Sequence, residues 1–116
     1  MSDQSTLSTP SAAAAGGLPL TGQVWMNGRL VPMEEASVSV LDHGLLYGDG
    51  CFEGIRVYNN KIFKLRTHLE RLHSSAELLH LDPPYSLDEI EKAVRETVAA
   101  NSISDGYIRL IYTRGI

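Results

Sequence analysis

The sequence predicts an α+β fold, with helices packed on one face of a largely antiparallel sheet. Three observations carry this reading. Short strand-like runs are joined by Asn27-Gly28 and Asn59-Asn60, pairs whose residues tolerate the positive φ of a two-residue hairpin turn. After Arg66 the apolar spacing changes from a strand period to a helical one, and does so twice in succession. A final strand-like run, Tyr107 to Tyr112, follows the helices, so strands and helices are grouped and do not alternate one by one.

Taken in order, residues 1–21 are rich in Ser, Thr, Ala, Gly and Pro and lack apolar periodicity. Such a stretch buries too little surface to offset its ordering entropy, so it is expected to be a flexible tail, with residues 22–116 forming one domain. Val24-Trp25-Met26 and Leu30-Val31 flank Asn27-Gly28 as the first hairpin, and Ser37-Val38-Ser39-Val40 alternates like a half-buried strand. A glycine-rich stretch, His43 to Gly50, leads into a second hairpin, Cys51 to Tyr58 with Lys61 to Leu65. Thr67 and Glu70 have capping-box spacing, and Leu69, Leu72, Ala76 and Leu79 mark one face of the helix expected there, ended by Pro83-Pro84. Ser86 and Glu89 repeat the spacing before Ile90, Ala93, Val94, Thr97 and Val98. Asn101 to Gly106 reads as a turn before the last strand.

Composition narrows the function classes. The 116 residues are 43% hydrophobic, enough for a packed core, and carry a net charge of −4, which gives no basic footprint for nucleic acid or an anionic membrane. No apolar run approaches the ~20 residues that span a bilayer. The first residues lack a basic segment followed by an apolar one, and the single cysteine, Cys51, leaves no internal disulfide framework. The expected address is cytoplasmic.

Several residues could carry chemistry. Gly44, Gly48, Gly50 and Gly54 interleave with Tyr47, Asp49, Phe52, Glu53 and Arg56. The stretch is neither a Walker A loop, since no Gly-Lys-Ser/Thr ends it, nor a dinucleotide fingerprint, since strand-like residues follow it. By itself it reads first as a turn between strands, and second as backbone that approaches a ligand. Arg71 could hold a phosphate with its guanidinium fork, or be a surface arginine paired with Glu70 or Glu77. Tyr107 and Arg109, two apart in a strand, face the same side and suit a carboxylate, or simply form an outward polar face with Ile108 and Leu110 turned inward. Arg56 and Tyr58 repeat that spacing. The four histidines lack metal-ligand spacing, and Cys51 has no adjacent histidine to serve as a base.

Together these stretches resemble a known family. Asn27-Gly28 followed by Leu41-Asp42-His43-Gly44-Leu45-Leu46-Tyr47-Gly48-Asp49-Gly50-Cys51-Phe52-Glu53-Gly54-Ile55-Arg56 is similar to the N-terminal signature of class IV (fold-type IV) pyridoxal-phosphate aminotransferases. Lys64 to Leu72 resembles the family's helix with a phosphate-binding arginine, and Tyr107-Ile108-Arg109 with Thr113-Arg114-Gly115 resembles the strand that closes its small domain. The likeness covers residues 23 to 116, and Phe52-Glu53-Gly54-Ile55-Arg56 is most similar to the branched-chain amino-acid enzymes.

That resemblance implies a small N-terminal domain with pyridoxal 5'-phosphate bound against a second domain, in a homodimer. It implies that Arg71 binds the cofactor phosphate and that Phe52, Gly54 and Arg56 line the substrate pocket. Tyr47 would be lent to the neighbouring subunit's pocket, while Tyr107 and Arg109 would recognise substrate carboxylates, Arg109 the side-chain carboxylate of glutamate. The reaction implied moves an amino group between Leu, Ile or Val and 2-oxoglutarate, with amino acids and 2-oxo acids as small-molecule partners. The lysine that forms the Schiff base in the family matches none of Lys61, Lys64 and Lys92, so it is expected beyond Ile116 and the 116-residue chain alone is expected to be inactive. The alternatives are a non-catalytic relic or interaction module of the same fold, a D-amino-acid aminotransferase, or an aminodeoxychorismate lyase.

Overall fold

A computed structural model describes residues 21–116, so all but the last residue of the expected tail lies outside the described residues. Strands β1 (Gln23–Met26) and β2 (Arg29–Pro32) pair antiparallel across Asn27 and Gly28, whose φ values of 52° and 106° are those that the Asn-Gly turn requires. A 3-10 turn, Met33–Glu35, follows. Helix α1 (His43–Tyr47) leads into β3 (Gly50–Tyr58), which turns at Asn59-Asn60 into the two-residue β4 (Lys61–Ile62). Helices α2 (Leu65–Leu78) and α3 (Leu87–Ala100) precede β5 (Gly106–Thr113). The second sheet has the order β4-β3-β5 with both pairings antiparallel.

Strand β3 alternates strictly. Glu53, Ile55 and Val57 are buried while Phe52, Arg56 and Tyr58 are exposed. In β5 Ile108 is buried between exposed Tyr107 and Arg109. Ile55, Val57 and Ile108 meet Leu65 and Leu69 of the first long helix and Ile90 and Val94 of the second in one core. Burying one such side chain contributes roughly 1.5–3 kcal/mol. Both long helices therefore cover one face of the three-stranded sheet, the expected α+β arrangement. The β1–β2 hairpin is fastened to the end of α3 by the Asn101 side chain, which accepts from Gln23 N at 2.8 Å and donates to Gln23 O at 3.0 Å.

Four local expectations are corrected. Ser37 to Val40 is not a strand, and its valines do not face inward: Val38 and Val40 are exposed. No strand pairs with it among the described residues, and without a ladder partner the alternation has nothing to fix it. The glycine-rich stretch is partly helical. Asp42 caps α1 by accepting from Gly44 N at 2.8 Å, and Gly48 closes it at φ 67°.

Thr67 caps nothing, because α2 starts at Leu65 behind a left-handed Lys64. The Ser86–Glu89 box, by contrast, is complete, with Glu89 N to Ser86 Oγ at 3.1 Å and Ser86 N to Glu89 Oε1 at 2.8 Å. Helix α2 also ends before Pro83-Pro84 is reached. Leu81 N donates to Ala76 O at 2.8 Å and His80 N to Glu77 O at 3.0 Å around a left-handed His80, which is a Schellman closure and leaves Leu79 exposed.

Candidate functional site

The outer face of the β3–β5 pair gathers most of the residues singled out in the sequence. Register places Phe52 opposite Ile111, Gly54 opposite Arg109 and Arg56 opposite Tyr107. Directly opposed residues of an antiparallel pair share a face, so all six stand on the side away from the helices. Gly54 is required there by its neighbour: a Cβ would meet the Tyr107 hydroxyl and lie 2.9 Å from Cε1 and Cζ of the ring. The bare backbone at Gly54 is thus the seat of the Tyr107 phenol. The Arg109 guanidinium carbon lies 4.1 Å above the Phe52 ring, and that of Arg56 lies 5.6 Å from the Tyr58 ring. The outcome is an apolar floor of Phe52, Tyr107 and Ile111 with the Arg109 guanidinium stacked on it and Arg56 on the same face, suited to an apolar group that carries a carboxylate.

Arg71 and Tyr47 lie elsewhere. Arg71 is not paired with Glu70 or Glu77 but with Glu53, in a two-pronged contact: Nε to Oε2 and Nη2 to Oε1, each 2.8 Å. Glu53 leaves β3 on the helix side, so this pair stands across the sheet from the Tyr107–Arg109 face. The Glu53 side chain is only 6% exposed and also accepts from His68 Nδ1 at 2.7 Å. The Arg71 hydrogen bonds, followed by that of His68, hold its carboxyl below the ordinary glutamate range against the upward pull of burial. Tyr47 projects from α1, 73% exposed, with its ring edge-on to His43 at 5.2 Å.

Sequence reasoning gave Glu53 no role, although a signal existed. A carboxylate between Cys51 and Ile55 on an alternating strand must point to the helix side, where it needs a partner. It also missed Arg114, whose Nε lies 2.5 Å from Asp49 Oδ2. Cys51 is half-buried, and burial pushes its thiol up, away from the reactive thiolate.

The residues fit the phosphate of a pyridoxal cofactor on one count that the structure itself provides. Arg71 remains 67% exposed, and its Nη1 makes no hydrogen bond among the described residues, so a preoriented guanidinium edge is available to an anion. Among the described residues no His, Cys, Asp and Glu side chains group as metal ligands, and no helix is long and apolar enough to cross a membrane.

Comparison with known proteins places this geometry. The chain is 48% identical over 94 residues to a putative branched-chain-amino-acid aminotransferase of Methanocaldococcus jannaschii, covering 81% of this chain and 33% of that protein. It is 54% identical over 86 residues to a probable branched-chain-amino-acid aminotransferase of Rickettsia felis, covering 74% and 30%. The chain thus spans about a third of the length of the curated relatives it matches. Among solved structures, the branched-chain aminotransferase of the thermophilic archaeon Thermoproteus uzoniensis with norvaline superposes with a TM-score of 0.75 at 49% identity, over 80% of this chain and 33% of that one. The model of the amino-transferase class IV family matches residues 50–116, from the first residue of β3 onward and more than half of the sequence. The strand face, the long helices beneath it and this match agree: the chain belongs to the class IV amino-transferases.

Proposed function

We propose that residues 22–116 are the small domain of a branched-chain amino-acid aminotransferase, and that the whole protein moves an amino group between Leu, Ile or Val and 2-oxoglutarate. The observation that carries this reading is the outer face of β3 and β5, where Phe52 and Tyr107 offer an apolar wall beside the guanidinium of Arg109. A pocket that alternates between a branched aliphatic amino acid and a dicarboxylate needs both features in one place. The names of the relatives support the same reaction class.

In this reading pyridoxal 5'-phosphate supplies the electron sink and carries the amino group between the two half-reactions. The chain's own residues bind and orient. Arg71 takes the phosphate with its outward edge, while Glu53 and His68 keep the guanidinium from turning. Phe52, Gly54 and Tyr107 exclude water from one side of the substrate and accept its aliphatic side chain. Arg109 takes the distal carboxylate of glutamate or 2-oxoglutarate, and Arg56 adds positive charge beside Tyr107. Tyr47, exposed on α1, is lent to the pocket of the second subunit of a homodimer. The proton-moving lysine belongs to the part of the protein beyond Ile116.

The test is to continue this chain with the remaining two thirds of the Rickettsia felis relative and assay amino transfer to 2-oxoglutarate. Transfer from L-leucine, L-isoleucine and L-valine is expected, with Arg109→Leu raising the KM for 2-oxoglutarate by about tenfold while changing the KM for leucine far less. Preference for D-alanine would replace the reading with a D-amino-acid enzyme. The 116-residue chain alone is expected to give no turnover, and sustained glutamate formation by it would overturn the placement of the lysine.

A further inference from the structure

Helix α1 poses a mechanical question. It has five residues, one turn and a fraction, and a helix so short has no stability of its own in water. None of its residues is buried: Leu45 is 60% exposed, Leu46 50% and Tyr47 73%. Apolar packing therefore does not hold it, and its placement must come from the polar ties at its two ends.

Those ties converge on three residues at the end of the recognition strand, Thr113 to Gly115. At the N-terminal end, Thr113 Oγ1 donates to Asp42 Oδ1 at 3.0 Å, and His43 N donates to Gly115 O at 2.7 Å. Gly44 is seated so closely on Thr113 that a Cβ would collide with the threonine side chain. Beyond the C-terminal end, Arg114 N donates to Asp49 O at 3.1 Å, and the Arg114 guanidinium grips both Asp49 carboxylate oxygens, Nε at 2.5 Å and Nη2 at 3.2 Å. The same guanidinium donates to Leu79 O at 2.8 Å and His80 O at 3.3 Å, so the grip is itself anchored to the end of α2. A planar, five-donor group serves both oxygens of one carboxylate and two carbonyls together, which a lysine cannot match.

We infer that Arg114 is a positioning residue for Tyr47: with Thr113 it clamps α1 between the end of β5 and the end of α2, so that Tyr47 stands out in one fixed direction. Strand β5 thereby joins two recognition elements. Its middle carries Tyr107 and Arg109, and its end sets the residue offered outward from α1. The clamp stands on this geometry alone; only the use of Tyr47 in a second subunit's pocket rests on the function proposed above.

Two experiments test it. In the 116-residue chain, Arg114→Ala is expected to speed amide hydrogen exchange at Gly44, Leu46 and Gly48 by about tenfold, with the amides at the centre of β3 and β5 unchanged. Asp49→Asn should reproduce the pattern, and Arg114→Lys should restore it only in part. Unchanged exchange in α1, or equal acceleration throughout the molecule, would overturn the clamp. In the protein continued to the length of its relatives, Arg114→Ala and Tyr47→Phe are each expected to raise the KM for leucine by about tenfold, and the double variant no further, with cofactor affinity unchanged. Additive effects would show that Arg114 does not act through Tyr47. An inactive continued protein would refute the proposed function, while the exchange result would still decide the clamp.

Discussion

Glu53 and Arg71 are joined by two hydrogen bonds of 2.8 Å, donated by an exposed guanidinium on α2 to a buried carboxylate in the middle of β3. The pair ties the sheet to the helix and fixes the direction in which the arginine can offer itself to an anion. Burial alone would raise the Glu53 carboxyl; the hydrogen bonds from Arg71 and then His68 outweigh it and hold the group down.

A carboxyl lowered in the folded state gives stability that is present above its unfolded value, roughly pH 4.3, and is lost as pH falls through the folded value. Asp49, held down first of all by its hydrogen bond from Arg114, adds to the same acid-side loss. Glu53→Gln is expected to lower Tm at pH 7 by about 5 °C and to flatten the decline below pH 4, measured by thermal melts across that range. A melt that still falls as steeply in acid would assign the loss to other carboxylates.

His73 titrates the other way from a paired histidine. Burial depresses its pKa, and its Nε2 lies 2.8 Å from the Tyr112 hydroxyl, whose own pKa is pushed up to about 12, chiefly by burial. The phenol therefore stays protonated beside a neutral imidazole. Stability from this contact is present above the unfolded histidine value, roughly pH 6.5, and is lost as pH falls toward the depressed folded value. His73→Gln, which keeps an acceptor without a charge change, should remove the part of the Tm decline that lies between pH 7 and about pH 5.

The two capping-box spacings give opposite results in one measurement. Ser86→Ala removes the acceptor of Glu89 N and is expected to cost about 1 kcal/mol in urea unfolding. Thr67→Ala, exposed inside α2, is expected to be neutral or slightly stabilising. Equal costs would mean that the Ser86 box contributes nothing specific.

His80 closes α2 at φ 57°, a position where a side chain is disfavoured. Because His80 contributes its carbonyl, not its ring, to Arg114, His80→Gly should preserve that contact and raise stability by about 0.5–1 kcal/mol. A loss of stability would show that the imidazole has a role of its own.

Gly54→Ala tests the recognition face without touching the core. The added methyl must displace the Tyr107 ring, so in the continued protein kcat/KM for leucine should fall by about tenfold while the Tm stays within a few degrees. A crystal structure of the variant would show the phenol turned off Gly54.

Much of this molecule was decided within short stretches of sequence. The turns at Asn27-Gly28 and Asn59-Asn60, the buried faces of α2 and α3, the Ser86–Glu89 cap and the shared side of Tyr107 with Arg109 and of Arg56 with Tyr58 within their own strands follow from local conformation and from side-chain periods of 2 and 3.6. What the tertiary structure alone decided involves partners distant in the chain. Glu53 meets Arg71 across 18 positions, and Arg114 reaches back 65 positions to Asp49, because α2 lies on the inner side of β3 and β5 runs antiparallel to it. The same cause works in reverse at Ser37–Val40, where a strand-like alternation stays unpaired because no neighbouring strand comes alongside it among the described residues. Periodicity sets which way a side chain points, but the identity of what it meets depends on how the elements pack, and no single stretch of sequence contains that information.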